Sequence, residues 1–133
     1  MLVEVELFQV ILTDGSPTQS IVLREKSGDR IIPIFIGYNE AIAIDRKLKD
    51  VAVPRPLTHD LLQSVIERMG GKLERVVLND LRDGTYYALL IIQKDGQRVE
   101  VDARPSDAIA LAVRTGAPVF AEEAVIQKAM SPE

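Results

Sequence analysis

The stretch TYYALLIIQKDGQRVEVDARPSDAIALAVRTG, residues 85–116, changes its period once, and that change decides the fold class. Thr85 to Gln93 and Arg98 to Ala103 read as strands around Asp95-Gly96, a dipeptide suited to a tight hairpin because both residues tolerate left-handed backbone. Tyr86 to Ile92 is apolar on both alternating faces apart from the tyrosine hydroxyls, which predicts a central strand covered on both sides. Beyond Pro105 the pattern turns helical. Ser106 to Thr115 is apolar nearly all round from Ala108 to Val113, so a deeply buried helix is expected, stopped by Gly116. Hairpinned strands running into a buried helix point to an α+β (mixed α/β) fold, a largely hairpin-built mixed sheet with helices packed on it.

Upstream, Lys72 to Leu81 reads as a strand joined to Thr85 by a hairpin at Asp83-Gly84. Leu2 to Leu12 alternates Glu4 and Glu6 with Val3, Val5 and Leu7, which is strand period. Ile21 to Arg24 and Arg30 to Ile36 flank a turn at Ser27-Gly28-Asp29. A helix is expected from Asn39 as N-cap, with Ala41, Ile44 and Leu48 as its apolar stripe. Pro54-Arg55-Pro56 must be extended, since proline disfavours helix in the residue before it. Thr58 is then expected to cap a second helix, with Leu57 at N′ and Leu62 at N4 as a hydrophobic staple and Leu61, Leu62, Val65, Ile66 and Met69 as its buried face. Downstream, Pro118 to Phe120 fits a short strand. Glu122 to Met130 fits a short terminal helix whose Val125, Ile126, Ala129 and Met130 suit either an interface or the chain's own sheet. Three buried helices and one short C-terminal helix are therefore predicted, in one domain over residues 1–133.

Composition narrows the function. The 133 residues are 47% hydrophobic, an ordinary globular value, and contain no cysteine. Disulfides, thiolate metal sites and cysteine nucleophiles are excluded. No signal peptide is evident and no apolar run approaches the ~20 residues of a membrane span, so a soluble cytoplasmic protein is expected, with no membrane partner. The net charge of −4 argues against a sequence-independent duplex binder, which needs a basic face. It leaves room for a nuclease whose basic residues are local. Walker, dinucleotide-binding, Gly-x-Ser-x-Gly and His-Glu-x-x-His motifs are all missing, and no organic cofactor is expected.

Three segments carry more polar residues than a core needs: Pro54 to Leu62, Asp80 to Ala88 and Asp102 to Ala112. In the last, Asp102 ends a strand, Arg104 lies in the connection, and Ser106 and Asp107 open a helix. Strand ends and helix N-termini are where polar groups converge on ligands. Asp102 and Asp107, with Glu40 or Asp60, are candidate ligands for Mg²⁺ or Mn²⁺, which prefer oxygen donors. The same residues fit plain capping, with Arg104 paired to Asp102. His59 is the single histidine, placed in a helix first turn beside Asp60. It is a candidate general base or metal ligand, or an exposed first-turn residue. Arg55 and Arg104, each next to proline, are candidates to hold phosphate, because guanidinium pairs with it in bidentate fashion; structural ion pairs explain them as well.

Pro54 to Leu62, Asp83 to Ala88 and Asp102 to Ala112, together with Ile32-Pro33-Ile34-Phe35-Ile36-Gly37 followed by Glu40-Ala41, resemble the signature blocks of the bifunctional nuclease domain family. The resemblance runs from about Val3 to Ala129 and covers the core domain only. It implies nuclease activity on DNA and RNA, that is, a hydrolase acting on phosphodiester bonds. Read with the residues above, it gives a metal-assisted phosphodiesterase with His59, Asp60, Asp102 and Asp107 as catalytic candidates, Arg55 and Arg104 on the substrate, and Asp102, Asp107 and Glu40 on the metal. The alternative is a non-enzymatic regulatory or small-anion-binding module. A homo-oligomer, such as a dimer, is expected on that second reading above all.

Overall fold

Two three-stranded antiparallel halves meet on a short central strand. The computed structural model describes residues 1–131. The first half is β1 (Leu2–Ile11), β2 (Thr18–Glu25) and β3 (Ile31–Gly37), followed by α1 (Tyr38–Leu48) and α2 (Thr58–Arg68). The second is β4 (Lys72–Arg82), β5 (Thr85–Lys94) and β6 (Gln97–Ala103), followed by α3 (Pro105–Thr115), β7 (Val119–Glu122) and α4 (Glu123–Met130). The strand order is β3-β2-β1-β7-β4-β5-β6. Every neighbouring pair is antiparallel except β4 with β7, which is parallel. The class is therefore α+β, as the hairpin and helix periods predict.

The turn chemistry holds at both dipeptides. Asp83 and Gly84 have φ of 51° and 78°, and Asp95 and Gly96 have 52° and 75°. Both central residues of each turn are left-handed, the twist that lets two strands pair directly. Gly116 closes α3 with φ 78°, where a side chain would be strained.

Helices cover one face of the sheet. Val5, Leu23, Ile32, Val76, Leu78 and Leu90 form a single core with Ile44 of α1, Ile109 and Leu111 of α3, and Val125 and Ile126 of α4. The opposite face carries no helix, although Val22, Val77 and Ile91 are buried on it. There Arg24 stacks over Phe8 at 4.1 Å and Arg82 over Tyr87 at 4.2 Å, so guanidinium groups shade exposed rings. β5 is thus covered by helix on one side only: Ala88 and Leu90 lie under α3, while Tyr87 and Leu89 point to the open face. The reading of a strand covered on both sides is corrected, because a hydrophobic run does not say which of its faces has a neighbour.

The helices depart from expectation in three places. α1 begins at Tyr38 with Gly37 as its N-cap, so Asn39 is inside the helix. α2 has Leu57 and not Thr58 as its N-cap, because Thr58 already has helical backbone, and it buries none of its residues; Leu61, Leu62, Val65 and Met69, expected in the core, are exposed. α4, expected at the periphery, buries Val125 and Ile126 against the chain's own sheet and is fastened by Arg30, whose guanidinium bridges Glu25 and Glu123. The buried helices are therefore α1, α3 and α4. No helix among the described residues is long and apolar enough to cross a membrane.

Candidate functional site

The first turns of α1, α2 and α3 open on one cleft of about 650 Å³. α3 is fixed in the core, and Pro105 at its first position sets the entry angle with Arg104 as N-cap. Asp107 therefore stands in the first turn with a defined direction. Its Oδ2 accepts from Arg104 Nε at 2.9 Å and its Oδ1 from Arg104 Nη2 at 3.3 Å. The same Oδ1 lies 2.9 Å from His59 Nε2, contributed by the first turn of α2. Arg104 Nη2 also lies 3.6 Å from Glu40 Oε2 in the first turn of α1. Four side chains from three separate helix starts thus form one chain of contacts, Glu40–Arg104–Asp107–His59.

The charges support one another. Burial pushes the Asp107 carboxyl up, but hydrogen bonds from Arg104 and His59 outweigh it and hold the group below the usual carboxylate range. Arg104 is correspondingly raised, chiefly by its hydrogen bond to Asp107. An ionised carboxylate only accepts, so His59 Nε2 is the donor to Asp107, and in the neutral ring this leaves the lone pair on Nδ1. Arg104 is well exposed, while the His59 side chain is only 12% exposed. The cleft therefore offers a solvated guanidinium beside a fixed imidazole.

Other sequence candidates stand elsewhere. Asp60 accepts from the Leu57 backbone N–H at 3.0 Å and from Arg114 Nε at 2.8 Å. The Leu57 hydrogen bond is the main reason its carboxyl lies below the ordinary range. Arg114 is 4% exposed and also donates to the carbonyls of Ala110 and Ala43, at 2.9 and 3.3 Å. Asp60 thus ties α2 to α3 and α1 and does not line the cleft. Arg55 lines a neighbouring recess of about 530 Å³ with Arg46, Lys47 and Arg114, beyond Pro56 and Leu57. Asp102 is exposed on β6, opposite Leu89, on the face of the sheet away from the helices. It meets neither Asp107 nor Arg104, so the expected Asp102–Asp107 pair and the Arg104–Asp102 pair do not form.

The residues expected to hold a metal do not converge. Among the described residues, no group of three His, Cys, Asp or Glu side chains comes together. Glu40 and Asp107 remain near one another, but both already face the Arg104 guanidinium. That donor set does not fit a Mg²⁺ or Mn²⁺ site built on several free oxygens.

Sequence reading missed Arg114. Its signal was present: an arginine inside a helix otherwise apolar nearly all round needs a buried partner. It also missed Tyr38 and Arg46, which line the cleft but belong to no polar segment.

Comparison with known proteins gives a consistent picture. A family profile described as the bifunctional nuclease domain matches residues 21–133. An uncharacterized protein of Mycobacterium tuberculosis is 47% identical over 109 residues, which is 82% of this chain and 65% of that protein. Bifunctional nuclease 1 of Oryza sativa subsp. japonica is 30% identical over 112 residues, 81% of this chain and 34% of its own length. Bifunctional nuclease 2 of Arabidopsis thaliana is 28% identical over the same span. The chain spans less than two-thirds of the mycobacterial protein and about one-third of the plant nucleases.

Proposed function

This chain belongs to the bifunctional nuclease domain family, and from that membership together with the cleft we propose that it hydrolyses phosphodiester bonds of RNA or DNA between the first turns of α1, α2 and α3. The observation that carries the reading is the convergence of His59, Asp107 and Arg104 from separate elements. Arg104, exposed and already paired on one edge, presents its remaining N–H groups to a phosphate oxygen. His59 takes the proton of the attacking water at Nδ1 as the water oxygen bonds to phosphorus. Asp107 fixes the tautomer and stabilises the imidazolium that results. The bond to the leaving oxygen breaks, and that oxygen takes its proton from solvent, which the open cleft admits. Mg²⁺ or Mn²⁺ is not needed for any of these steps.

The test is cleavage of labelled single-stranded RNA and DNA by highly purified protein, with Mg²⁺, with Mn²⁺ and with chelator. His59→Gln is expected to lose about 10²–10⁴-fold in rate, the usual contribution of a positioned acid–base group. Asp107→Asn is expected to fall with it. Cleavage equal in wild type and both variants would sink the assignment.

A second reading, a self-associating regulatory module, is favoured by one specific feature. Val65 and Met69 of α2 are exposed beside Val99 on the free edge strand β6. The occupant we infer is a second copy. With β6 antiparallel to its counterpart about Val99, Arg98 of one copy faces Glu100 of the other, twice, and the two α2 faces meet on the same side. Light scattering of wild type and Val65→Asp decides it: a dimer turned into a monomer supports it, and a wild-type monomer at high concentration refutes it.

A further inference from the structure

Arg104 and Glu40 line a second recess, on the far side of the guanidinium from His59. It encloses about 330 Å³ between β3, the β4–β5 hairpin and the start of α3. The curl of the sheet makes it, since β3 and β4 are separated by three strands in the sheet order. Its walls are of two kinds. Ile34, Ile36 and Pro105 are aliphatic. Ser106 and Tyr86 bring hydroxyls that have no hydrogen-bond partner in the protein among the described residues, although Ser106 is only 5% exposed and Tyr86 is half-buried. Neither hydroxyl oxygen is sealed from solvent, so both are free to donate to a ligand that fills the recess. α3 also starts without a side-chain cap, and Pro105 has no N–H to offer, so the amide of Ser106 adds a free donor at this wall.

The charges select the ligand. The Glu40 carboxylate faces the recess, so a free phosphate deep inside is disfavoured. A neutral group with an apolar ring body and a hydrogen-bonding edge fits all the walls, with its own phosphate outside on Arg104. We propose that this recess is a nucleoside subsite, holding the sugar and base next to the phosphate that Arg104 grips. The inference rests on the phosphodiesterase reading for its role, but binding itself does not require cleavage. Ser106 and Tyr86 donate to the base or ribose edge, and Ile34, Ile36 and Pro105 cover the ring. A cavity of this size is at the lower end for small-ligand sites, which suits one nucleoside and no more.

The experiment is calorimetric or NMR titration of the protein with the four 5′-mononucleotides, the matching nucleosides and inorganic phosphate. It uses wild type, Arg104→Ala and the paired conservative variant Ser106→Ala with Tyr86→Phe, each checked for an unchanged melting profile. The nucleotides are expected to bind more tightly than inorganic phosphate. The paired variant is expected to weaken nucleotide and nucleoside binding about five- to tenfold per hydroxyl removed, while leaving phosphate binding alone. Arg104→Ala is expected to lose phosphate and nucleotide binding but keep the nucleoside. Nucleotides that bind no better than phosphate, or a paired variant that binds them as wild type does, would overturn the subsite. Nucleotide binding lost in the paired variant of a protein that cleaves nothing would keep the subsite and remove the phosphodiesterase reading.

Discussion

Helices α2 and α3 begin alike and serve differently. Each has eleven residues, each has a proline within two residues of its start, and each carries an aspartate at its third position. α3 buries six residues and α2 buries none. Their aspartates are crossed with that burial. Asp60, on the surface helix, reaches inward to the almost fully buried Arg114. Asp107, on the core helix, reaches outward to Arg104 and His59. The lesson is mechanical. The well-packed helix presents the carboxylate that a reaction needs fixed, and the lightly packed one brings His59 and is tied down by a carboxylate of its own.

The largest effect expected from this contrast is in stability. Leu111 of α3 is fully buried in the main core, so Leu111→Ala should cost about 2–5 kcal/mol in denaturant unfolding. Val65 of α2 is exposed, so Val65→Ala should stay within about 0.5 kcal/mol. Equal costs at the two sites would break the comparison and show that α2 is covered in solution.

A smaller effect separates the two aspartates. Asp60→Asn leaves the buried Arg114 guanidinium short of its charged partner and should cost about 1–3 kcal/mol. Asp107→Asn should cost less, because Arg104 returns to water, yet it should be the more damaging of the two for cleavage. The pH dependence sharpens this. The Asp60 carboxyl titrates lower in the folded protein than its unfolded value of about 3.9. The unfolded chain therefore binds more protons between those two values, so Asp60's contribution is complete above about pH 4 and is lost as the pH falls through the folded value. Thermal melting between about pH 2 and 5 should fall less steeply in Asp60→Asn than in wild type. An unchanged slope would mean that the Asp60 carboxylate is not held in the folded protein by the Leu57 amide and Arg114.

The same crossing explains what could be read from the sequence. The hairpins were legible because Asp83-Gly84 and Asp95-Gly96 have a local backbone reason to turn. α3 was legible because a helix apolar nearly all round has nowhere to go but inside. α2 was not, because periodicity shows that Leu61, Leu62, Val65 and Met69 share a face but not that anything covers it. Asp102 and Asp107 lie five residues apart, but the strand's period of two turns Asp102 to the opposite side of the sheet from the helices. Arg104, Asp107 and His59 were each legible as polar residues at helix starts. Their meeting was not, since His59 and Asp107 lie 48 residues apart and are joined only by the packing of α2 against α3.

The smallest expected effect tests how the cleft's charge is set. Gly37, the N-cap of α1, has ordinary extended backbone, so its lack of a side chain matters for space and not for conformation. A Cβ built there would collide with Glu40 Oε1, the end of a flexible side chain. Gly37→Ala should therefore leave stability almost unchanged while pushing the Glu40 carboxylate away from Arg104. Glu40 offsets part of the Arg104 charge at an exposed position, where such a pair is worth about 0.2–1 kcal/mol. Its removal should tighten the grip on a phosphodiester by about 1.5- to 5-fold, seen as a lower KM with kcat little changed. Glu40→Gln should give the same sign, and added salt should shrink both effects. A higher KM in both variants would reverse the role of Glu40, from a group that tempers Arg104 to one that itself touches the substrate, and would move it to the side of the cleft that Asp107 occupies.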